Sequence, residues 1–174
     1  PAYAALILLA GWGLALALQA WRTHAWPRAA VAVALVGAQA AMAASVFPYY
    51  LSFYNPVLGG STAAPQAMML GWGEGLDEAA TFLSRQPDIA EASVASWYSN
   101  AFNFQFPYQA DDIPIALELG DAQLADLLAH DYVVIYVHQW QRHTPQNLLD
   151  ALADLQPVYT VVVDGIEYVR IYRP

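Results

Sequence analysis

The sequence predicts two transmembrane helices followed by a small extracytoplasmic α/β domain. Three observations lead there. Residues 2–21 and 29–47 are charge-free apolar runs long enough to cross a bilayer. Every Asp and Glu lies after residue 73. Beyond that point helical and strand patterns alternate, and the chain closes in a hairpin around Asp164-Gly165. The predicted layout is a membrane part over 1–47, a membrane-exit and linker segment over 48–76, and the α/β domain over 77–174.

The two apolar runs, AYAALILLAGWGLALALQAW and AAVAVALVGAQAAMAASVF, would each be ~28–30 Å long as helices, the thickness of a bilayer core. Their connector, residues 22–28, carries Arg22, His24 and Arg28. Arginines in a short loop favour the cytoplasmic side, which places the acidic domain outside. Gly37, Ala41 and Ser45 stand four apart and form a narrow smooth strip on which another helix can pack. Gly11, Gly13, Gln19 and Gln39 also favour protein neighbours over lipid. The chain opens on Pro1 and enters an apolar run with no basic segment before it. A piece of a longer protein is therefore expected rather than a signal peptide.

The exit reads FPYYLSFY over 47–54. Aromatic rings with polar tips suit the membrane–water boundary, and Pro48 stops the preceding helix. A helix follows over 75–86, with Asp77 and Glu78 in its first turn, Arg85 in its last, and Pro87 ending it. SVASWY at 93–98 reads as a strand. Residues 99–120 fit either a strand or an aromatic loop. DAQLADLLAH at 121–130 reads as a helix capped by Asp121. YVVIYV at 132–137 reads as a buried central strand. TPQNLLDALADL at 144–155 reads as a helix capped by Thr144 with Pro145 in its first turn. TVVV and IEYVRIY then flank Asp164-Gly165. Strict alternation would put Ile166, Tyr168, Arg170 and Tyr172 on one face of the last strand, opposite Glu167, Val169 and Ile171.

Residues 56–174 hold all 15 acids against four arginines (Arg85, Arg142, Arg170 and Arg173). That sign of charge argues against a nucleic-acid partner. The absence of cysteine excludes disulfides, thiolate catalysis and cysteine-based metal sites.

Candidate chemistry centres on two places. GWGEG, residues 71–75, sets Glu74 between glycines and near Trp72. Glycines let a ligand approach the backbone closely, and a carboxylate beside an indole is a common sugar-binding pair. The same residues also suit a hinge ahead of the helix. Tyr49, Tyr50, Tyr54 and Asn55 suit contact with a lipid head group or a substrate at the membrane face; an aromatic belt with an Asn55-Pro56 turn fits them as well. His138 and His143 lie five apart, which does not place both on one helix face, and the intervening residues read as a polar loop. No catalytic residue and no metal ligand is assigned, and neither membrane run contains a charge that would mark an ion path.

PYYLSFYNPVLGG at 48–60 followed by GWGEGLDEAATFL at 71–83 resembles the C-terminal part of bacterial phospholipid-carrier-dependent glycosyltransferases of the C-type fold, the relatives of protein O-mannosyltransferases and aminoarabinose transferases. The two blocks cover about 30 residues, and the plan of last membrane helices followed by an outer α/β domain covers the whole chain. The resemblance implies an enzyme of the bacterial cell membrane that transfers a sugar from a polyprenyl-phosphate donor to an extracytoplasmic acceptor. It implies as partners the lipid bilayer, the remaining transmembrane helices of a parent chain, and that donor. The family's catalytic acid lies in its first outer loop, near the N-terminus, so no residue here inherits that role and this piece alone is expected to be inactive. A divalent metal is implied for the full-length enzyme, with no ligand set and no cofactor carried by this chain. The substrate-binding candidates are Tyr49, Tyr50, Tyr54, Asn55, Trp72 and Glu74. The competing expectation is a membrane-anchored binding or sensor module without enzymatic activity.

Overall fold

A computed structural model describes residues 2–19 and 25–174. The chain divides into two compact units, Pro1–Ser45 and Val46–Pro174. Arg22 and His24 of the expected cytoplasmic loop lie outside the described residues.

The first unit holds α1 (Ala2–Gln19) and α2 (Ala25–Ser45). The second helix starts earlier than its charge-free run and takes in the backbone of residues 25–28. It ends at Ser45, before the expected residue 47, and a turn carries the chain to Pro48. Ile7, Leu8, Leu9 and Trp12 of α1 stand exposed, as do Val33, Leu35 and Val36 of α2. A Cβ added at Gly11, Gly13 or Gly37 would meet nothing within 4 Å, so the small-residue strip has no neighbour among the described residues. No single helix among them is long and apolar enough to cross a membrane; Ala29–Ser45 and Tyr50–Leu58 pass that test only as a pair.

The second unit is a mixed α/β domain built on a five-stranded sheet ordered β2-β1-β3-β5-β4. Its strands are β1 (Val94–Ser96), β2 (Asp111–Asp112), β3 (Tyr132–Tyr136), β4 (Tyr159–Val163) and β5 (Ile166–Tyr172). The central strand β3 is buried along its whole length, as expected of a β-branched and aromatic run. It runs parallel to β1 and antiparallel to β5. Asp164 and Gly165 both take positive φ, which matches the twist of the β4–β5 hairpin they join.

Helices α3 (Gly60–Ala67) and α4 (Leu76–Ser84) precede the sheet. α4 buries Leu76, Ala79, Ala80 and Leu83, the apolar stripe of an amphipathic helix. Phe82 stacks on Tyr159 with ring centroids 4.1 Å apart, which sets α4 against the face carrying Val161 and its partner Val169. The opposite face carries Arg170, whose guanidinium lies 4.6 Å from the ring centroid of Trp140. Helices thus cover both faces of the sheet.

Four local expectations are corrected. Residues 99–105 form a helix, α5 (Ser99–Gln105), because Phe102 and Phe106 pack inward one turn apart. The helix α6 (Asp121–Leu128) is capped by Gly120, and Asp121 is its first residue. Residues 138–142 are not a loop: α7 (Val137–Arg142) follows β3 directly, with Val137, His138 and Gln139 buried beneath it. α8 (Gln146–Leu152) begins after Pro145, which stands at the cap in place of Thr144. The alternation of β5 also breaks. A bulge between Val161 and Val162 pairs Val161 with Val169 but Val162 with Glu167. The register moves Ile166 to the face of Val169 and leaves Glu167 on the face of Arg170.

The residues expected as exit and linker belong to this unit. Tyr49 and Tyr54 pack against its core, and Leu70 lies within it.

Candidate functional site

Strand order places the site. β1 lies between two parallel neighbours, β2 and β3. The chain moves from β1 to one side through α5 and returns to the other through α6. In open α/β sheets such a reversal leaves a crevice beyond the carboxyl ends of the strands, where ligands bind. Tyr98 follows β1 at that end, and His138 follows β3. The Tyr98 hydroxyl meets His138 Nδ1 at 2.7 Å. Tyr98 holds positive φ although it is not glycine, a conformation that persists only where packing enforces it. Its ring stands edge-on to Tyr136, centroids 5.6 Å apart.

The GWGEG segment closes over these strand ends and is pinned there. The Tyr136 hydroxyl accepts a hydrogen bond from the Gly73 amide at 2.8 Å and lies 3.2 Å from Glu74 Oε2. Glu74 Oε2 also accepts from the Trp72 amide at 2.5 Å. Gly71 has positive φ, and a Cβ there would sit 2.4 Å from the Tyr136 hydroxyl, so only glycine lets the loop approach the sheet this closely. The hinge-like composition therefore builds a fixed loop.

The first helix-exit turns complete the wall. Tyr49 donates to Asp77 Oδ1 at 2.6 Å and lies 3.2 Å from Glu78 Oε1. Four of the sequence candidates, Tyr49, Tyr50, Trp72 and Glu74, line one cleft of about 440 Å³ together with Asp77 and Gln105. Trp72 is 85% exposed at its mouth, while Glu74 is 8% exposed in its wall. Tyr54 and Asn55 take other roles. The Tyr54 hydroxyl meets that of Tyr168 at 3.0 Å. Asn55 Oδ1 accepts from the Val57 amide and caps the short 3₁₀ turn Pro56–Leu58, which is the turn reading of the sequence.

The electrostatics follow from burial. Desolvation raises the Tyr136 phenol pKa, and the Glu74 carboxylate adds to it while the Gly73 amide opposes. Tyr49 is raised in the same way by burial and by Asp77. Both phenols remain neutral donors. His138 is lowered, first by burial and then by the Arg142 charge, against the pull of the Gly71 and Leu70 carbonyls. His143 is elsewhere, at the end of α7, where it lines a wider groove of about 900 Å³ with Met68, Met69, Trp140 and Gln141. Among the described residues, no group of three His, Asp or Glu side chains could hold a metal ion.

From the sequence, neither Tyr98, Tyr136 nor Gln105 is named as a site residue, and His138 is set aside with His143 as part of a polar loop. Tyr98 and His138 each stand two residues past the end of a strand, β1 and β3, which is the sequence signal for them. Comparison with known proteins adds no identity: no family model, no curated protein and no solved structure matches this chain.

Proposed function

We propose that this chain is the C-terminal part of a membrane glycosyltransferase that moves a sugar from a polyprenyl-phosphate donor to an acceptor outside the cytoplasmic membrane. In this reading α1 and α2 cross the bacterial cell membrane within a larger helical bundle. The α/β unit stands outside and shapes the substrate side of the reaction. The observation that carries the reading is the meeting of the two sequence blocks of the resemblance in one cleft, through Tyr49 and Tyr50 from the first and Trp72 and Glu74 from the second. Supporting it are the exposed apolar side chains of both helices, which suit hydrocarbon better than water. No residue here is assigned the catalytic role, which the family places in its first outer loop.

The test is transfer by the full-length protein, reconstituted in lipid, from a radiolabelled polyprenyl-phosphate sugar. Trp72→Ala and Glu74→Gln are expected to lower kcat/KM by about tenfold or more, the first through loss of an aromatic contact face and the second through loss of one charge-assisted contact. Expression should stay normal. No turnover by the parent protein with any such donor would sink the proposal.

A binding or sensor module is the second reading. It is favoured by the clustering of residues 46–174 as a unit with its own core. Failure of that segment to fold without the helices would count against it.

A further inference from the structure

The charge and donor pattern of the cleft select what it takes, and the inference rests on the glycosyltransferase reading for the direction of transfer. The cleft between the exit turns, the GWGEG loop and α5 presents two carboxylates, Glu74 and Asp77, and among its lining residues there is no arginine or histidine. The loop amides at 72 and 73, which a glycine-rich turn could aim at a phosphate, are already taken by Glu74 and the Tyr136 hydroxyl. Glu74 is more than nine-tenths buried. Both of its hydrogen bonds fall on Oε2, so Oε1 is left to accept from a ligand. Trp72 stands exposed beside it, and an indole face stacks on the C–H face of a pyranose while a carboxylate accepts from its hydroxyls. Gln105, also lining the cleft, supplies both a donor and an acceptor.

We propose that this cleft binds an uncharged, hydroxyl-rich sugar ring of the acceptor, and that it excludes the phosphate-bearing donor. A sugar 1-phosphate carries its negative charge on the phosphate joined to the ring through O1, close enough for Glu74 and Asp77 to repel it. The Trp72 amide and the Tyr136 hydroxyl already satisfy Glu74 Oε2, and a donor hydroxyl reaching Oε1 would satisfy the remaining oxygen. Acceptor hydroxyls meet that need and the donor phosphate does not.

The test uses the full chain in lipid nanodiscs and ligand-observed saturation-transfer NMR. One probe set is the methyl glycosides of mannose, galactose and glucosamine in its N-acetylated form. The other is the matching sugar 1-phosphates. At least one methyl glycoside is expected to bind, and to bind more tightly than its 1-phosphate. Trp72→Ala should abolish that signal; an indole so exposed can be removed without disturbing the core. Glu74→Gln keeps an acceptor for the Trp72 amide and should weaken binding about tenfold. Absence of binding by every methyl glycoside overturns the inference. So does tighter binding of the phosphates, or unchanged glycoside binding in both variants. Transfer is scored separately. Glycoside binding without turnover from any polyprenyl-phosphate donor would remove the transferase reading and leave the sugar site. Turnover in which Trp72→Ala raises KM for the donor, with the acceptor KM unchanged, would remove this inference alone.

Discussion

Helices α1 and α4 are both rich in leucine and alanine, yet they solve opposite problems. α4 gathers its apolar residues on one stripe, and Leu76, Ala79, Ala80 and Leu83 vanish into the sheet while Asp77 and Glu78 face outward or bind Tyr49. α1 is apolar all round, and Ile7, Leu8, Leu9 and Trp12 remain exposed. An amphipathic helix brings its own instructions for burial, because one side must leave water and the other must stay. A helix without a polar side has no preferred face, and its burial depends on whatever apolar medium or helices surround it. The contrast teaches that α4 carries its own instruction for burial, whereas no polar side on α1 singles out one face for it.

The largest effect should come from the buried stripe. Leu83→Ala is expected to destabilise the α/β unit by about 2–5 kcal/mol through lost burial and the cavity left behind. Leu8→Ala should leave the same transition within about 0.5 kcal/mol. Denaturant unfolding of the two variants, followed by near-ultraviolet circular dichroism of the domain, measures both. Equal effects would break the comparison.

A smaller effect is expected at the loop. Tyr136→Phe removes the hydroxyl that accepts from Gly73 and bridges to Glu74. The cost should be about 1–3 kcal/mol, since a loop amide and a carboxylate lose a partner inside the protein. Hydrogen exchange at the Gly73 amide should accelerate. Unchanged protection there would show that the loop is held by packing alone.

The smallest effects are in pH dependence, and they have opposite signs for two histidines. His138 is lowered by burial and by Arg142, so its contribution is present above the unfolded value of about 6.5 and is lost as pH falls through the folded value. His130 is raised. Burial works against its charge, but Asp111, whose Oδ2 lies 3.1 Å from Nε2, and the Asp126 carbonyl outweigh it. Its contribution is present below about 6.5 and is lost as pH rises through the folded value. Thermal melts across pH 5–8 should show His138→Asn flattening the acid side and His130→Asn flattening the alkaline side. Identical profiles for the two variants would contradict the assigned environments.

Much of the α/β unit is legible in the sequence. Tyr132–Tyr136 of the run YVVIYV form the central strand, Asp164-Gly165 is the hairpin turn, and Leu76–Ser84 of the expected 75–86 form the amphipathic helix, with Arg85 at its C-cap rather than in its last turn. These signals are local, so periodicity and turn chemistry suffice to read them. The misreadings share a cause. The helix at 99–105 draws its inward face from Phe102 and Phe106, whose packing depends on distant elements. The β5 bulge depends on its partner β4. α7 looked like a loop because its polar residues, His138 and Gln139, are buried by tertiary contacts rather than by their own hydrophobicity.

The candidate site divides in the same way. The sequence by itself determined which residue types were available: an aromatic exit, a glycine-spaced loop carrying Trp72 and Glu74, and an acidic domain without cysteine or lysine. Only the tertiary structure decided that Tyr49, Tyr50, Trp72 and Glu74 share a cleft while Tyr54 and Asn55 do not. It also decided that the Tyr136 hydroxyl meets Glu74 and the Gly73 amide, and that Tyr98 meets His138. The physical reason is distance along the chain. Tyr98 and His138 are 40 residues apart, and the parallel pairing of β1 with β3 is what brings their strand ends side by side.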